Sequence, residues 1–222
     1  MADFPFDIVG FDLDGTLLET HKDLGTAVNH ALALGGFASV AVDHAKDLIG
    51  GGAKVMLERA IAAQGGTGEV EFRRLYKEML AFYGAHYAVH TRPYPGATEA
   101  LDELHARGVR VAVITNKFEE FARGVLASLD LVDRFDCVIG GDTMGKGRAK
   151  PAPDPILKAR QNCGGGSFVY VGDSTYDMKA ARAAGVPVVA ACYGYCDASP
   201  DELGADAVIE SLHDLIPVLE TL

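Results

Sequence analysis

Two carboxylates, Asp12 and Asp14, stand two residues apart and are followed at once by Gly15 and Thr16. The apolar run Ile8-Val9-Gly10-Phe11 ahead of them has the composition of a buried strand. A strand that ends in two acids and a tight turn needs compensation for its charge. A divalent cation held by clustered oxygens is one answer, and a carboxylate used as a nucleophile is another. Three further groups follow apolar runs in the same way. They are Thr115-Asn116 after Val111–Ile114, Lys150 in Lys150-Pro151-Ala152-Pro153 after the Cys137–Ile139 run and its loop, and Asp173 in Gly172-Asp173-Ser174-Thr175-Tyr176-Asp177.

Acids, a hydroxyl, an amide and one cation together suit phosphoryl transfer through an aspartyl-phosphate. A phosphomonoester carries about two negative charges near neutral pH and repels a carboxylate nucleophile. Mg²⁺ held by Asp12 and Asp173 would stand between them, and Lys150 would neutralise further charge. Thr115, Asn116 and the N–H groups of the Asp14-Gly15 turn would hold the equatorial oxygens. Asp14 would protonate the leaving alkoxide and then deprotonate the hydrolytic water.

Each signal has a plainer reading. Asp-Gly is a common turn pair. Ser174-x-x-Asp177 is a capping box for a helix, a role compatible with a place in the site. Thr115 can cap a helix. Lys146 and Arg148 compete with Lys150 as the phosphate cation, and the flanking prolines favour Lys150 by fixing its loop. Gly50-Gly51-Gly52 ahead of Ala53-Lys54 is either a helix break or, through Gly51 and Gly52, a backbone contact to an anion. The seven histidines are read as structural.

The elements that must position these groups alternate. Apolar, β-rich runs occur at Asp7–Leu13, Val109–Thr115, Cys137–Ile139, Phe168–Val171, Pro187–Ala191 and Ala207–Ile209. Helical patterns occupy Ala97–Arg107, Glu119–Leu129, Asp154–Asn162, Thr175–Ala184 and Leu212–Leu219, with Gly108 and Gly185 as stop signals. This alternation predicts an α/β fold with a parallel sheet covered on both faces. From about residue 22 to 89 the rhythm fails, and Asp23–Leu34, Ala53–Ala63 and Val70–Ala88 read as helices. So long a stretch is a helical insertion, not a connection. It leaves the sheet at the carboxyl end of the first strand, where ligands bind in such folds, and is placed to act as a lid.

Composition narrows the classes. At 222 residues and 49% hydrophobic the chain can bury a real core, which excludes general disorder. A net charge of −11 argues against a nucleic-acid partner. No run is long and apolar enough for a bilayer and no leader pattern opens the chain, so the expectation is a cytoplasmic protein without a membrane partner. Cys137, Cys163, Cys192 and Cys196 lack zinc spacing.

The chain resembles the haloacid dehalogenase superfamily, in its phosphatase branch, along essentially its whole length. The D-x-D-G-T pattern is Asp12–Thr16, the following hydroxyl is Thr115, the lysine is Lys150, and G-D-x-x-x-D is Gly172–Asp177. The resemblance implies that Asp12 is the nucleophile and that Asp14 is the acid/base. It implies that Asp12, the Asp14 carbonyl and Asp173 bind Mg²⁺, and that Asp177 supports them. It implies a Rossmann-like doubly wound core, residues 1–18 and 91–222, with an α-helical cap at 19–90. Leu48–Ala53, Thr115-Asn116-Lys117, Gly140–Thr143, Ala180–Pro187 and Tyr193-Gly194-Tyr195 are similar to bacterial phosphoglycolate phosphatases. Glu19-Thr20, Cys196 and the loop Met144–Ala149 depart from that pattern. The implied partner is a small anionic phosphomonoester, with phosphoglycolate leading. A phosphomutase lacks its usual Trp here, a phosphonate hydrolase would need a lysine such as Lys54, and a dehalogenase usually lacks the second acid. A silent binding module is the non-enzyme alternative.

Overall fold

A computed structural model describes residues 4–222. Its sheet has six strands, all parallel, in the order β5-β4-β1-β6-β7-β8. These are β1 (Ile8–Phe11), β4 (Arg110–Ile114), β5 (Cys137–Ile139), β6 (Phe168–Gly172), β7 (Val188–Ala191) and β8 (Ala207–Ile209). The helices are α1 (His21–Leu34), α2 (Ala53–Ala62), α3 (Glu69–His86), α4 (Ala97–Ala106) and α5 (Glu119–Ser128). They continue with α6 (Asp154–Asn162), α7 (Thr175–Ala184), α8 (Pro200–Leu203) and α9 (Leu215–Leu219).

The alternation of side chains along a strand explains the layering. Val9, Phe11, Val111, Val113, Val169 and Val171 face one way and pack with Leu101 and Leu104 of α4, Val125 of α5 and Leu219 of α9. Ile8, Ala112, Ile114 and Tyr170 face the other way, against Ile156 of α6 and Met178 of α7. Full burial of each large apolar side chain stabilises by roughly 1.5–3 kcal/mol. The fold class is therefore the one read from the sequence: a Rossmann-like sheet with helices on both faces.

Helices α1, α2 and α3 build a third cluster of their own, with Leu24, Val28, Met56, Leu57, Leu75 and Met79 inside. Two short strands, β2 (Leu18–Glu19) and β3 (Arg92–Pro93), pair antiparallel where the chain enters and leaves this insertion. Asp23 of α1 reinforces the return by accepting the N–H groups of His90 and Thr91 and the Thr91 hydroxyl, at 2.8–3.1 Å.

Local differences from the sequence reading have physical causes. The expected helix Leu212–Leu219 is a 3-10 turn at Leu212–Asp214 followed by α9. Pro217 has no N–H to continue a helix back to His213. Val42–Leu48 forms a further 3-10 segment. The stop signals act as expected: Gly108 and Gly185 have φ of 75° and 67°. All four cysteines are free thiols. No helix among the described residues is long and apolar enough to cross a membrane.

Candidate active site

The carboxyl ends of β1, β4 and β6 open into one cavity of about 430 Å³. Asp12, Asp14, Thr115, Asn116, Lys150 and Asp173 line it from the sheet side, and Gly51 and Gly52 line it from the insertion. The insertion also supplies Leu24, Ile49, Met56, Met79 and Tyr83.

Asp12 continues β1, its N–H donating to Val171 O at 2.8 Å. Its Oδ1 lies 2.9 Å from Lys150 Nζ but off the hydrogen-bond direction, so that buried oxygen lacks a hydrogen-bonded partner. Asp173 accepts the Thr16 hydroxyl at 3.1 Å on Oδ1 and the Tyr195 N–H at 2.7 Å on Oδ2. Asp177 is fully enclosed and doubly committed. Its Oδ1 takes Lys150 Nζ at 2.6 Å, and its Oδ2 takes the Ser174 N–H at 3.0 Å and hydroxyl at 2.6 Å. The capping box and the ion pair to Lys150 thus coexist in one residue. Lys150 also donates to Tyr170 Oη at 2.9 Å, which in turn donates to Ile114 O at 2.7 Å. Arg148 faces outward and pairs with Asp154, so Lys150 is the buried cation of that loop.

Oxygens of Asp12, Asp173 and Asp177 lie within 4.8 Å of one another, all buried. Burial pushes the Asp12 carboxyl up to about 6 against the pull of Lys150. Burial, Asp177 and Asp12 raise Asp173 well above the ordinary carboxylate range. Burial alone would lower the Lys150 pKa, but Asp12 and Asp177 carry it upward. An orphaned carboxylate oxygen beside a second acid is a donor set that fits a hard divalent cation. Asp177 spends its oxygens on Lys150 and Ser174, and Asp173 spends its own on Thr16 and Tyr195, whereas Asp12 Oδ1 has no hydrogen-bonded partner.

The turn after Asp14 is built for close approach. Gly15 has a φ of 89°, and a Cβ there would lie 2.2 Å from Asp173 Oδ2. A Cβ on Gly194 would lie 2.3 Å from Gly15 O. Thr115 accepts the Lys117 N–H at 3.2 Å, and its hydroxyl remains at the cavity wall. Asn116 commits its amide to Lys150 O at 3.1 Å and Gly50 O at 3.4 Å, joining the core to the insertion's glycine loop.

Three contributors escaped the sequence reading as individual residues. Lys117 Nζ bonds both oxygens of Asp14, at 2.8 and 2.7 Å. Tyr83 of α3 lies under that ammonium, 4.9 Å from Nζ to ring centre. The Tyr195 hydroxyl accepts the N–H groups of Thr20 and His21 at 2.6 and 2.9 Å, so one residue joins Asp173 to the start of α1. Of these, Lys117 was the most accessible from sequence, because it stands two residues beyond Thr115 on the same rim.

Residues 9–191 match the haloacid dehalogenase-like hydrolase family. A phosphoglycolate phosphatase of Agrobacterium fabrum is 39% identical over 212 residues, 94% of this chain and 90% of its own length. One from Mesorhizobium japonicum is 38% identical over 91% of this chain and 89% of its own. The crystal structure of a predicted phosphoglycolate phosphatase from Haemophilus somnus 129PT superposes with a TM-score of 0.88 at 30% identity, covering 96% of this chain and 98% of that one. With this match and the acids, hydroxyl and lysine gathered in one cavity, the chain belongs to the haloacid dehalogenase-like hydrolase family, as a phosphoric monoester hydrolase.

Proposed function

We propose that the protein is a Mg²⁺-dependent phosphatase that cleaves 2-phosphoglycolate to glycolate and phosphate through an aspartyl-phosphate on Asp12. The observation that carries this reading is the convergence of Asp12, Asp14, Thr115, Lys150 and Asp173 on one cavity beneath the helical insertion. The relatives named phosphoglycolate phosphatase support the choice of ester.

Asp12 attacks phosphorus with a carboxylate oxygen while the bond to the ester oxygen breaks. The electron pair stays on the leaving oxygen, which takes a proton from Asp14. Asp14, now ionised, removes a proton from water as that water's oxygen attacks phosphorus. The Asp12–phosphorus bond breaks, orthophosphate leaves, and Asp14 is again protonated. Lys150 balances charge on the transferring group, while Thr115 and the backbone at Gly15 hold its oxygens. Asp12, Asp173 and the Asp14 carbonyl would hold Mg²⁺, which would supply the positive charge that lets one anion approach another. Helices α1 to α3, within residues 19–90, act as the cap: they exclude bulk water and choose the leaving group.

The apolar wall of Ile49, Met56, Met79, Phe118 and Phe121 favours a second reading, another metabolite phosphate with a larger leaving group. A phosphate-release screen over small phosphomonoesters, with and without Mg²⁺, separates the two. Phosphoglycolate at the head of the ranking supports the first reading. Sugar phosphates above it replace the substrate but keep the reaction.

A further inference from the structure

The reaction above uses Asp14 but gives no part to two buried groups beside it. Lys117 Nζ donates to both Asp14 oxygens. An ammonium has three donors, and beyond Asp14 the only group this one meets among the described residues is the Tyr83 side chain, in a contact looser than an ordinary hydrogen bond. The buried Tyr83 hydroxyl has no acceptor for its own proton at hydrogen-bond distance among the described residues. Both residues line the cavity, one from the turn after β4 and one from α3. Unsatisfied buried donors are costly in a folded protein unless a ligand takes them up.

Their position relative to the acid is the second observation. Asp14 must reach the ester oxygen to protonate it. In a glycolate ester that oxygen is separated from the carboxylate by a single CH₂. A cation within 2.8 Å of both Asp14 oxygens is therefore within reach of a charge that close to the ester oxygen. The other lysines of the cavity are placed differently. Lys150 is committed to Asp12 and Asp177. Lys54 is largely exposed and pairs with Glu58 at 3.4 Å. The remainder of the insertion's wall is mostly apolar, and a carboxylate entering it needs a partner.

We propose that Lys117, backed by the ring and hydroxyl of Tyr83, is the leaving-group subsite. It takes the carboxylate of an anionic leaving group and selects phosphomonoesters of small hydroxy acids. The assignment rests on the phosphatase reading and adds the residues that choose the substrate.

The test compares kcat and KM for 2-phosphoglycolate and for 2-hydroxyethyl phosphate, a similarly short ester with an uncharged leaving group. Lys117→Met disturbs Asp14 equally for both, so the ratio isolates the subsite. The expected result is a loss of kcat/KM about 10- to 100-fold greater on phosphoglycolate, carried mainly by KM. Tyr83→Phe raises KM for phosphoglycolate alone, by a few fold, and serves the same comparison if the lysine variant does not fold. Equal losses on the two esters overturn the subsite and leave the phosphatase reading intact. A wild type that releases phosphate from neither ester in Mg²⁺ overturns the phosphatase reading, and the subsite with it.

Discussion

Lys150 and Asp177 form an ion pair of 2.6 Å with both side chains sealed from solvent. The same carboxylate caps α7 through Ser174, so the start of that helix and the cation beside Asp12 are fixed by one group. Lys150→Met leaves Asp12, Asp173 and Asp177 facing one another without that cation. Removing one partner of a buried pair costs about 3–5 kcal/mol. Denaturant unfolding of the variant should show a loss on that scale, partly restored by Mg²⁺, together with loss of phosphate release. A variant as stable as the wild type contradicts this role.

The acid cluster also makes stability depend on pH. Asp12 is carried by burial from the ordinary 3.8 up to about 6, and Asp173 is raised by burial and its acidic neighbours. A carboxyl raised on folding contributes stability that is complete below its unfolded value and is lost as pH rises through its folded one. Without divalent cation, the melting temperature should therefore fall as pH climbs from about 4 through 6, other groups being equal. Mg²⁺ at the proposed ligands would bind their ionised form, so its stabilising shift should grow over the same window. Thermal melts with and without Mg²⁺ check this, and a shift that does not change with pH counts against the cluster as its binding site.

Tyr195 separates two functions by atom. Its hydroxyl accepts the first N–H groups at α1, whereas its backbone N–H serves Asp173. Tyr195→Phe leaves buried donors unsatisfied, at a cost of about 1–3 kcal/mol. Stability should drop by that amount while the Mg²⁺ concentration for half-maximal activity stays close to wild type. A large change in that concentration would show that the hydroxyl, not the backbone, governs Asp173.

Gly15→Ala tests the close packing of the turn. The added methyl meets Asp173 Oδ2 at 2.2 Å, and the φ of 89° strains any L side chain. Asp173 must move, and both Mg²⁺ stabilisation and activity should fall together in a melt and a rate assay.

Much of this was legible in the sequence because strands buried on both faces read as nearly unbroken apolar runs. The acids, Thr115 and Lys150 follow such runs, so their meeting at one end of the sheet follows from the parallel order. Tyr83 was not legible, because it reaches Asp14's neighbour only when α3 folds back over the sheet, and its apolar helical spacing reads as core. Lys117 appears in the sequence as one more charge before a helix; only its burial against Asp14 distinguishes it. The β2–β3 pair has two residues per strand, too few for any periodicity.

The central claim is that Asp12 carries the phosphoryl group. The direct measurement is a rapid acid quench of the enzyme turning over phosphoglycolate labelled in its phosphate, followed by peptide mapping. The account predicts label on the peptide containing Asp12, and neither label nor phosphate release in Asp12→Asn. Wild-type release rates from Asp12→Asn, or turnover with no label on that peptide, would contradict it.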